Sequence, residues 1–230
     1  TSEDGVGWTT AWRVNATHGV RSYVPLPEAD TRWLRLLLDT LGPEDVGVRE
    51  IAVQPLSFAA TPNDFIASVA KDARRGLYPR AFLGEMTSWT LVGGSPGGAC
   101  RGLLSADGAY EPAPRSYSLE PFVWLDGQLV TWADVTTTQT LLDGHLPIPT
   151  VTWTHPTFTL EITAVAAGST VVRYRLTNRT ERPIRTNLAV AVRPFQVNPP
   201  TQFLNISGGA VRYTLAYSSG DRNEIGFMQG

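Results

Sequence analysis

The sequence holds a single cysteine, Cys100, and a single lysine, Lys71, among 230 residues. A lone cysteine excludes an intramolecular disulfide and any zinc site built on paired thiolates, so it leaves the redox compartment open. An extracellular or periplasmic setting is placed ahead of the cytoplasm. Of 19 basic side chains, one lysine leaves 18 arginines, and these are spread along the chain rather than gathered in a stripe. With a net charge of -2, neither nucleic acid nor an acidic membrane surface is expected as a partner. Long apolar runs are missing too. None approaches the ~20 residues that cross a bilayer, and no secretory signal opens the chain, whose first residue is Thr1. The three histidines, His18, His145 and His155, lack metal-ligand spacing. H-E-x-x-H, P-loop and dinucleotide fingerprints are absent, so neither cofactor nor metal is expected. Three N-x-S/T triplets start at Asn15, Asn178 and Asn205. That number is near chance for this length, and they are not read as glycosylation sites.

What the sequence does have is strand pattern. Phe158, Leu160 and Ile162 alternate with Thr159, Glu161 and Thr163. Val172, Tyr174 and Leu176 alternate with Arg173, Arg175 and Thr177, and Leu188, Val190 and Val192 with Ala189, Ala191 and Arg193. Period-two alternation buries one face of an antiparallel sheet and wets the other. Asp126-Gly127 lies between the apolar stretches 122–125 and 128–132, which suits a two-residue hairpin with positive φ at both turn positions. Asp107-Gly108, Asp143-Gly144 and Gly208-Gly209 mark further reversals. Leu146-Pro147-Ile148-Pro149 reads as an extended edge or linker, because proline cannot donate to a ladder. The apolar stretch Arg32–Leu38 reads as a strand, and a further strand is expected over 211–217.

One short helix is expected, over about 62–73. Thr61 suits its N-cap, Pro62 its first position and Asp64 its first turn, and Phe65, Ile66, Val69 and Ala70 form a stripe at helical spacing. A boundary is expected near 54–60, dividing the chain into residues 1–54 and 55–230. The fold class is mainly β: a partial jelly-roll segment, then a large antiparallel, supersandwich-like β-sandwich with that one helix.

Chemistry-bearing patterns are few. Gly93-Gly94-Ser95-Pro96-Gly97 matches the nucleophile-elbow form, but no helix follows it as that elbow requires, so a hairpin loop is the better reading. Paired carboxylates would signal glycoside hydrolysis, and Glu85, Glu111, Glu120, Asp134 and Glu161 are the acids to consider. Glu161 falls on the wet side of its strand. Glu85 stands in the segment 78–89, where Tyr78, Arg80 and Trp89 interleave charge with aromatic rings. These four are the candidate polar pocket with an aromatic wall. Against that stands an Arg80–Glu85 pair that merely staples a loop. Gln196 and Asn198 are read either as lining the same region or as a polar turn that ends a strand. Aromatic faces stack on pyranose rings. Trp33, Trp124, Trp132 and Trp153 lie in expected strands and read as core, whereas Trp8 and Trp12, in a Gly/Thr-rich stretch, are the candidates for an exposed platform.

Two stretches resemble known families. Ser2-Glu3-Asp4-Gly5 with Trp8, then Arg32-Trp33-Leu34-Arg35-Leu36, then Val48-Arg49-Glu50-Ile51-Ala52-Val53 resemble, in order, the C-terminal half of a discoidin (coagulation factor 5/8 type C) domain. That resemblance implies a β jelly-roll of a kind that often binds glycans or lipid headgroups. The motifs at 61–65, 78–80, 118–122, 130–134 and 146–149, with Arg193-Pro194-Phe195-Gln196-Val197-Asn198-Pro199-Pro200, resemble a segment of bacterial discoidin-containing, glycoside hydrolase-like proteins. There a β-supersandwich precedes an α/α six-hairpin barrel that carries the catalytic carboxylates. No barrel pattern lies within these residues.

The expectation is therefore a non-catalytic β portion of a carbohydrate-active protein, packing on such a barrel and shaping its entrance, with carbohydrate and that barrel as partners. The rival is a stand-alone carbohydrate-binding or adhesion module using Trp8 and Trp12. A third option is hydrolysis through Glu85 and a second carboxylate such as Glu120.

Overall fold

A computed structural model describes residues 1–13, 21–26, 30–38, 47–93, 101–167, 169–202 and 207–211. The chain divides into two compact units, Thr1–Val53 and Gln54–Gly230. His18, Cys100, Asn15, Asn205, four of the five residues of the Gly93–Gly97 motif and the strand expected after Val211 lie outside the described residues.

In the first unit the regular structure among the described residues is one antiparallel bridge, Ser2 with Trp33. The two backbones exchange N–H···O bonds of 3.0 Å each. The Asp4 carboxylate closes the turn beside it, accepting from the Val6 and Gly7 amides at 2.8 and 2.9 Å. These backbone donors hold its pKa below the usual carboxylate range. The expected strand over Arg32–Leu38 does not form beyond this bridge. Leu34, Leu36, Leu37 and Leu38 are exposed on both alternating faces, because no neighbouring strand among the described residues offers them a ladder or a cover.

The second unit is mainly β, with two antiparallel sheets. The first sheet holds β1 (Trp89–Gly93), β2 (Arg101–Ser105), β3 (Tyr110–Glu111), β4 (Ser118–Leu125) and β10 (Thr186–Arg193) in that order, with β5 (Gln128–Val130) also paired to β4. The second is a four-stranded meander of β6 (Thr136–Leu142), β7 (Leu146–Thr154), β8 (Phe158–Ala167) and β9 (Ser169–Asn178). β1 lies against β7 and β8. Between the sheets, Val92, Leu104, Val123, Val151, Trp153, Phe158, Leu160 and Ile162 are fully or almost fully buried. Each such side chain contributes about 1.5–3 kcal/mol by leaving water. The alternation on β8 dictates this layer, and the residues between, Thr159, Glu161 and Thr163, face outward.

Asp126 and Gly127 take φ of 49° and 79° and join β4 to β5 with Leu125 opposite Gln128. This is the primed turn that the twist of a hairpin favours. Pro147 and Pro149 belong to β7 rather than to a linker. β7 pairs with β8 only from Thr150 onward, so both prolines sit where the strand has a neighbour on one side alone, and neither disrupts the second ladder. Trp132 begins a short 3-10 turn (Trp132–Asp134) instead of extending β5. There the Thr131 hydroxyl and the Asp134 carboxylate cap each other's backbone.

The helix α1 (Pro62–Asp72) starts with a reciprocal capping box between Thr61 and Asp64 and has proline in its first turn. Its stripe buries Ala70 against Phe82 and Phe195, with Ile66, Ala67 and Tyr78 packed alongside. This second small core lies apart from the layer between the sheets. Asn63 ties the helix to residues 208–210. Its amide donates to the Gly208 carbonyl at 3.1 Å, and its Oδ1 accepts from the Ala210 amide at 2.7 Å.

Candidate functional site

The polar groups of the second unit converge where the small helical core meets β4. Local structure explains how they arrive. Residues Arg80–Leu83 form a 3-10 turn that ends at Gly84 in the left-handed region, and this aims Arg80 toward the reversal between β2 and β3. There Asp107 accepts from Arg80 through both carboxylate oxygens, at 2.7 Å from Nε and 2.5 Å from Nη2. Gly108 follows with φ of 88°, and a Cβ there would stand 2.7 Å from Ile162. Glycine thus lets this turn press onto the core. The Asp107 carbonyl then accepts from the buried Trp153 indole at 2.9 Å.

A second ion pair lies beside the first. Glu120 on β4 is buried, accepts from the Ser118 hydroxyl at 2.9 Å and meets Arg193 at 3.1 Å. Arg193 also donates to the Leu77 carbonyl, and its guanidinium lies 4.7 Å from the Phe195 ring centre and 5.0 Å from that of Tyr78. Burial pushes the Glu120 carboxyl up, with Arg193 opposing. Glu111 on β3 is nearly inaccessible and accepts from the Val197 and Asn198 amides at 2.8 and 3.3 Å. Burial raises its pKa as well.

Arg80, Asp107, Ser118, Glu120, Trp132 and Gln196 are among the residues that line a cavity of about 30 Å³. A water needs roughly 10–15 Å³, so one or two waters fit. Ligand pockets more often offer about 300–1,000 Å³, and a sugar ring has no room here. Gln196 is only 6% exposed. Its amide nitrogen donates to the Ser207 carbonyl at 2.9 Å, while its Oε1 finds no protein partner, which suits a bound water.

The residues that sequence placed together are thus divided. Arg80 and Gln196 line the cavity. Tyr78 packs on Phe195 at 6.0 Å between ring centres. Glu85 pairs mainly with Arg75, at 2.9 and 2.7 Å. These bonds hold its pKa below the usual range. The expected pair with Arg80 is present as a looser contact of 4.0 Å, while the bidentate partner of Arg80 is Asp107. Arg75 and Arg80 each place a guanidinium 4.5 Å from the Trp132 ring centre. Trp89 donates its indole N–H to Gln202 at 3.2 Å, at the start of β1. Asn198 is buried behind the Glu111 carboxylate.

In the first unit Trp8 is half-buried with the Arg35 guanidinium 4.1 Å from its ring centre, and Trp12 is 55% exposed. Of the four tryptophans read as core, Trp132 and Trp153 are buried, but Trp33 and Trp124 are 55% and 48% exposed. Trp124 points to the outer face of β4, which nothing covers at that end among the described residues. His145 and His155 sit in turns. His155 stacks on Phe158 with 4.8 Å between ring centres.

Sequence reasoning missed Asp107, which it read only as a turn residue; Glu111 is among the acids it considered, but its burial against the Val197 and Asn198 amides had no local signal. The signal available for Asp107 was an acid directly before a glycine between two apolar strands; nothing local showed that its carboxylate turns inward. Among the described residues no group of three or more His, Cys, Asp or Glu is placed to hold a metal ion, and no helix is long and apolar enough to cross a membrane.

Hydrolysis of a glycoside asks for one carboxylic acid and one free carboxylate flanking a sugar. The elevated pKa of Glu120 is in the direction a general acid needs. Yet Asp107 is held by both its oxygens to Arg80, Glu120 is paired to Arg193, and the space between admits only water. In comparisons with known proteins, no family model, curated protein or solved structure matches the chain.

Proposed function

We propose that this chain is a non-catalytic β-sandwich portion of a larger carbohydrate-active, glycoside hydrolase-like protein, in which it packs on a helical catalytic barrel and shapes that barrel's entrance. One observation carries the non-catalytic part. The buried carboxylates Asp107, Glu120 and Glu111 are each committed to an arginine or to backbone amides, and the cavity beside Asp107 and Glu120 is sized for water. Such a cluster fixes one packing of the helical segment on the sheet. The link to carbohydrate and to a barrel is supported by the sequence resemblance at 61–65, 78–80, 118–122, 130–134, 146–149 and 193–200.

The reading frame beyond both ends of these residues tests this proposal. A downstream region of paired helices is expected, and a frame without one overturns it. The exposure of Trp12 favours, as a second reading, a stand-alone carbohydrate-binding module built on the first unit. Calorimetry with oligosaccharides separates the two readings, since loss of binding in Trp8→Ala and Trp12→Ala supports the second.

A further inference from the structure

We infer that the outer face of β4 and β10 carries a saccharide-binding groove centred on Trp124. It is distinct from the buried cavity and from Trp8 and Trp12. Ser118, Glu120, Phe122 and Trp124 share one side of β4. The first two are buried and Phe122 is half-buried, but Trp124 at the far end is open. An indole left half in water forgoes a large part of its burial energy. It is also rigidly presented. Its strand is paired on both sides at this point, with Leu129 opposite on β5 and Asn187 opposite on β10. The Thr186 hydroxyl donates to the Trp124 carbonyl at 3.0 Å and adds a further tie between the strands.

The surroundings supply the chemistry of the ligand. Trp124, Asp126, Arg185, Thr186 and Asn187 are among the residues that line an open, shallow groove of about 620 Å³. The side chains of Asp126, Arg185 and Asn187 are exposed, and among the described residues none is spent on an ion pair or side-chain hydrogen bond. They offer a carboxylate acceptor, a guanidinium fork and an amide beside one aromatic face. Asp126 and Arg185 cancel in charge, which disfavours a phosphate or a polyanion. A neutral polyhydroxylated ring fits. Its C–H face stacks on the indole, while adjacent hydroxyls donate to Asp126 and accept from Arg185 and Asn187.

This inference rests on the carbohydrate-associated reading for the class of ligand, and on the groove alone for its place. It is tested by titrating the chain with neutral hexasaccharides of glucose (α-1,4 and β-1,4), xylose and N-acetylglucosamine, followed by calorimetry and tryptophan fluorescence. At least one is expected to bind with a millimolar or tighter constant. Trp124→Ala should weaken it at least about tenfold, a loss of about 1.4 kcal/mol, and leave the thermal midpoint unchanged, as suits a half-exposed residue. Asn187→Ala should weaken it by a smaller factor. Binding that survives Trp124→Ala, binding lost only in Trp8→Ala or Trp12→Ala, or no binding to any of the four sugars would each overturn the groove. None of those results bears on whether a barrel follows the chain, so this inference and the proposed function fail separately.

Discussion

Replacing Asp107 by asparagine keeps the shape of the side chain and removes its charge. Asp107 is only 9% exposed and Arg80 26%, so the bidentate pair is largely out of water. Stripping one partner from a buried pair costs about 3–5 kcal/mol, because the remaining charge is left unpaired. Here the loss is partly cushioned. A quarter of Arg80 still meets solvent, Glu85 stands 4.0 Å away, and the Trp132 ring lies beneath the guanidinium at 4.5 Å. Reducing the cost by about half gives ~2 kcal/mol. For a unit of this size that is about 4–8 °C in thermal midpoint, readable from the fluorescence of the buried Trp153 and Trp132. The neighbouring pair of Arg75 and Glu85 is the control. It is solvent-exposed, so Glu85→Gln should change stability by no more than about 1 kcal/mol. Combining Asp107→Asn with Arg80→Met should recover much of the loss, since the stranded charge is gone. A midpoint for Asp107→Asn equal to that of the parent, or a double variant as unstable as the sum of its parts, would refute the assignment of this pair as the clamp between the helical segment and the sheet.

Gly108→Ala should lower the urea midpoint by the equivalent of about 2–4 kcal/mol. The new methyl meets Ile162 at 2.7 Å in a backbone region with φ of 88°, so overpacking and backbone strain add. Thr61→Ala removes one half of the capping box on α1 and should cost about 1 kcal/mol in the same measurement. Glu111→Gln should change the pH dependence of stability. Burial raises the folded-state pKa of Glu111 above its ordinary 4.5. Between that value and the raised one, the folded state keeps a proton that the unfolded chain releases. Its contribution is therefore full below the ordinary value and is lost as pH rises. The variant should show a shallower fall in thermal midpoint with rising pH above that value, and an unchanged slope would contradict the placement of Glu111. Glu85 works in the opposite sense. Arg75 lowers its pKa, so its contribution is lost as pH falls.

The parts of the fold that could be read from sequence are those set by near neighbours. The alternation over 158–163 fixes which face of β8 is buried. Asp126-Gly127 fixes its hairpin, because both positions need positive φ. Thr61, Pro62 and Asp64 start the helix through contacts within one turn. What stayed hidden depends on partners far along the chain. The acid that holds Arg80 lies 27 residues away and the one that holds Arg193 lies 73 residues away, whereas the acid nearest to Arg80 in the motif, Glu85, is claimed by Arg75. Trp124 and Trp153 look alike as aromatic residues in apolar strands. Only the stacking of the second sheet onto one of them, and the absence of cover over the other among the described residues, separates them. The prolines of β7 and the uncovered leucines of 34–38 give the same lesson. Whether an extended stretch becomes a strand depends on which neighbour arrives beside it.

Turnover by the isolated chain is the most direct test of the claim that its buried acids are structural. Hydrolysis of aryl glycosides and of the four neutral oligosaccharides would be followed for the parent, Asp107→Asn and Glu120→Gln, with thermal midpoints measured on the same samples. The account predicts no hydrolysis above buffer in any sample and a lowered midpoint in Asp107→Asn. Hydrolysis by the parent that disappears in Glu120→Gln, while that variant stays folded, would contradict it.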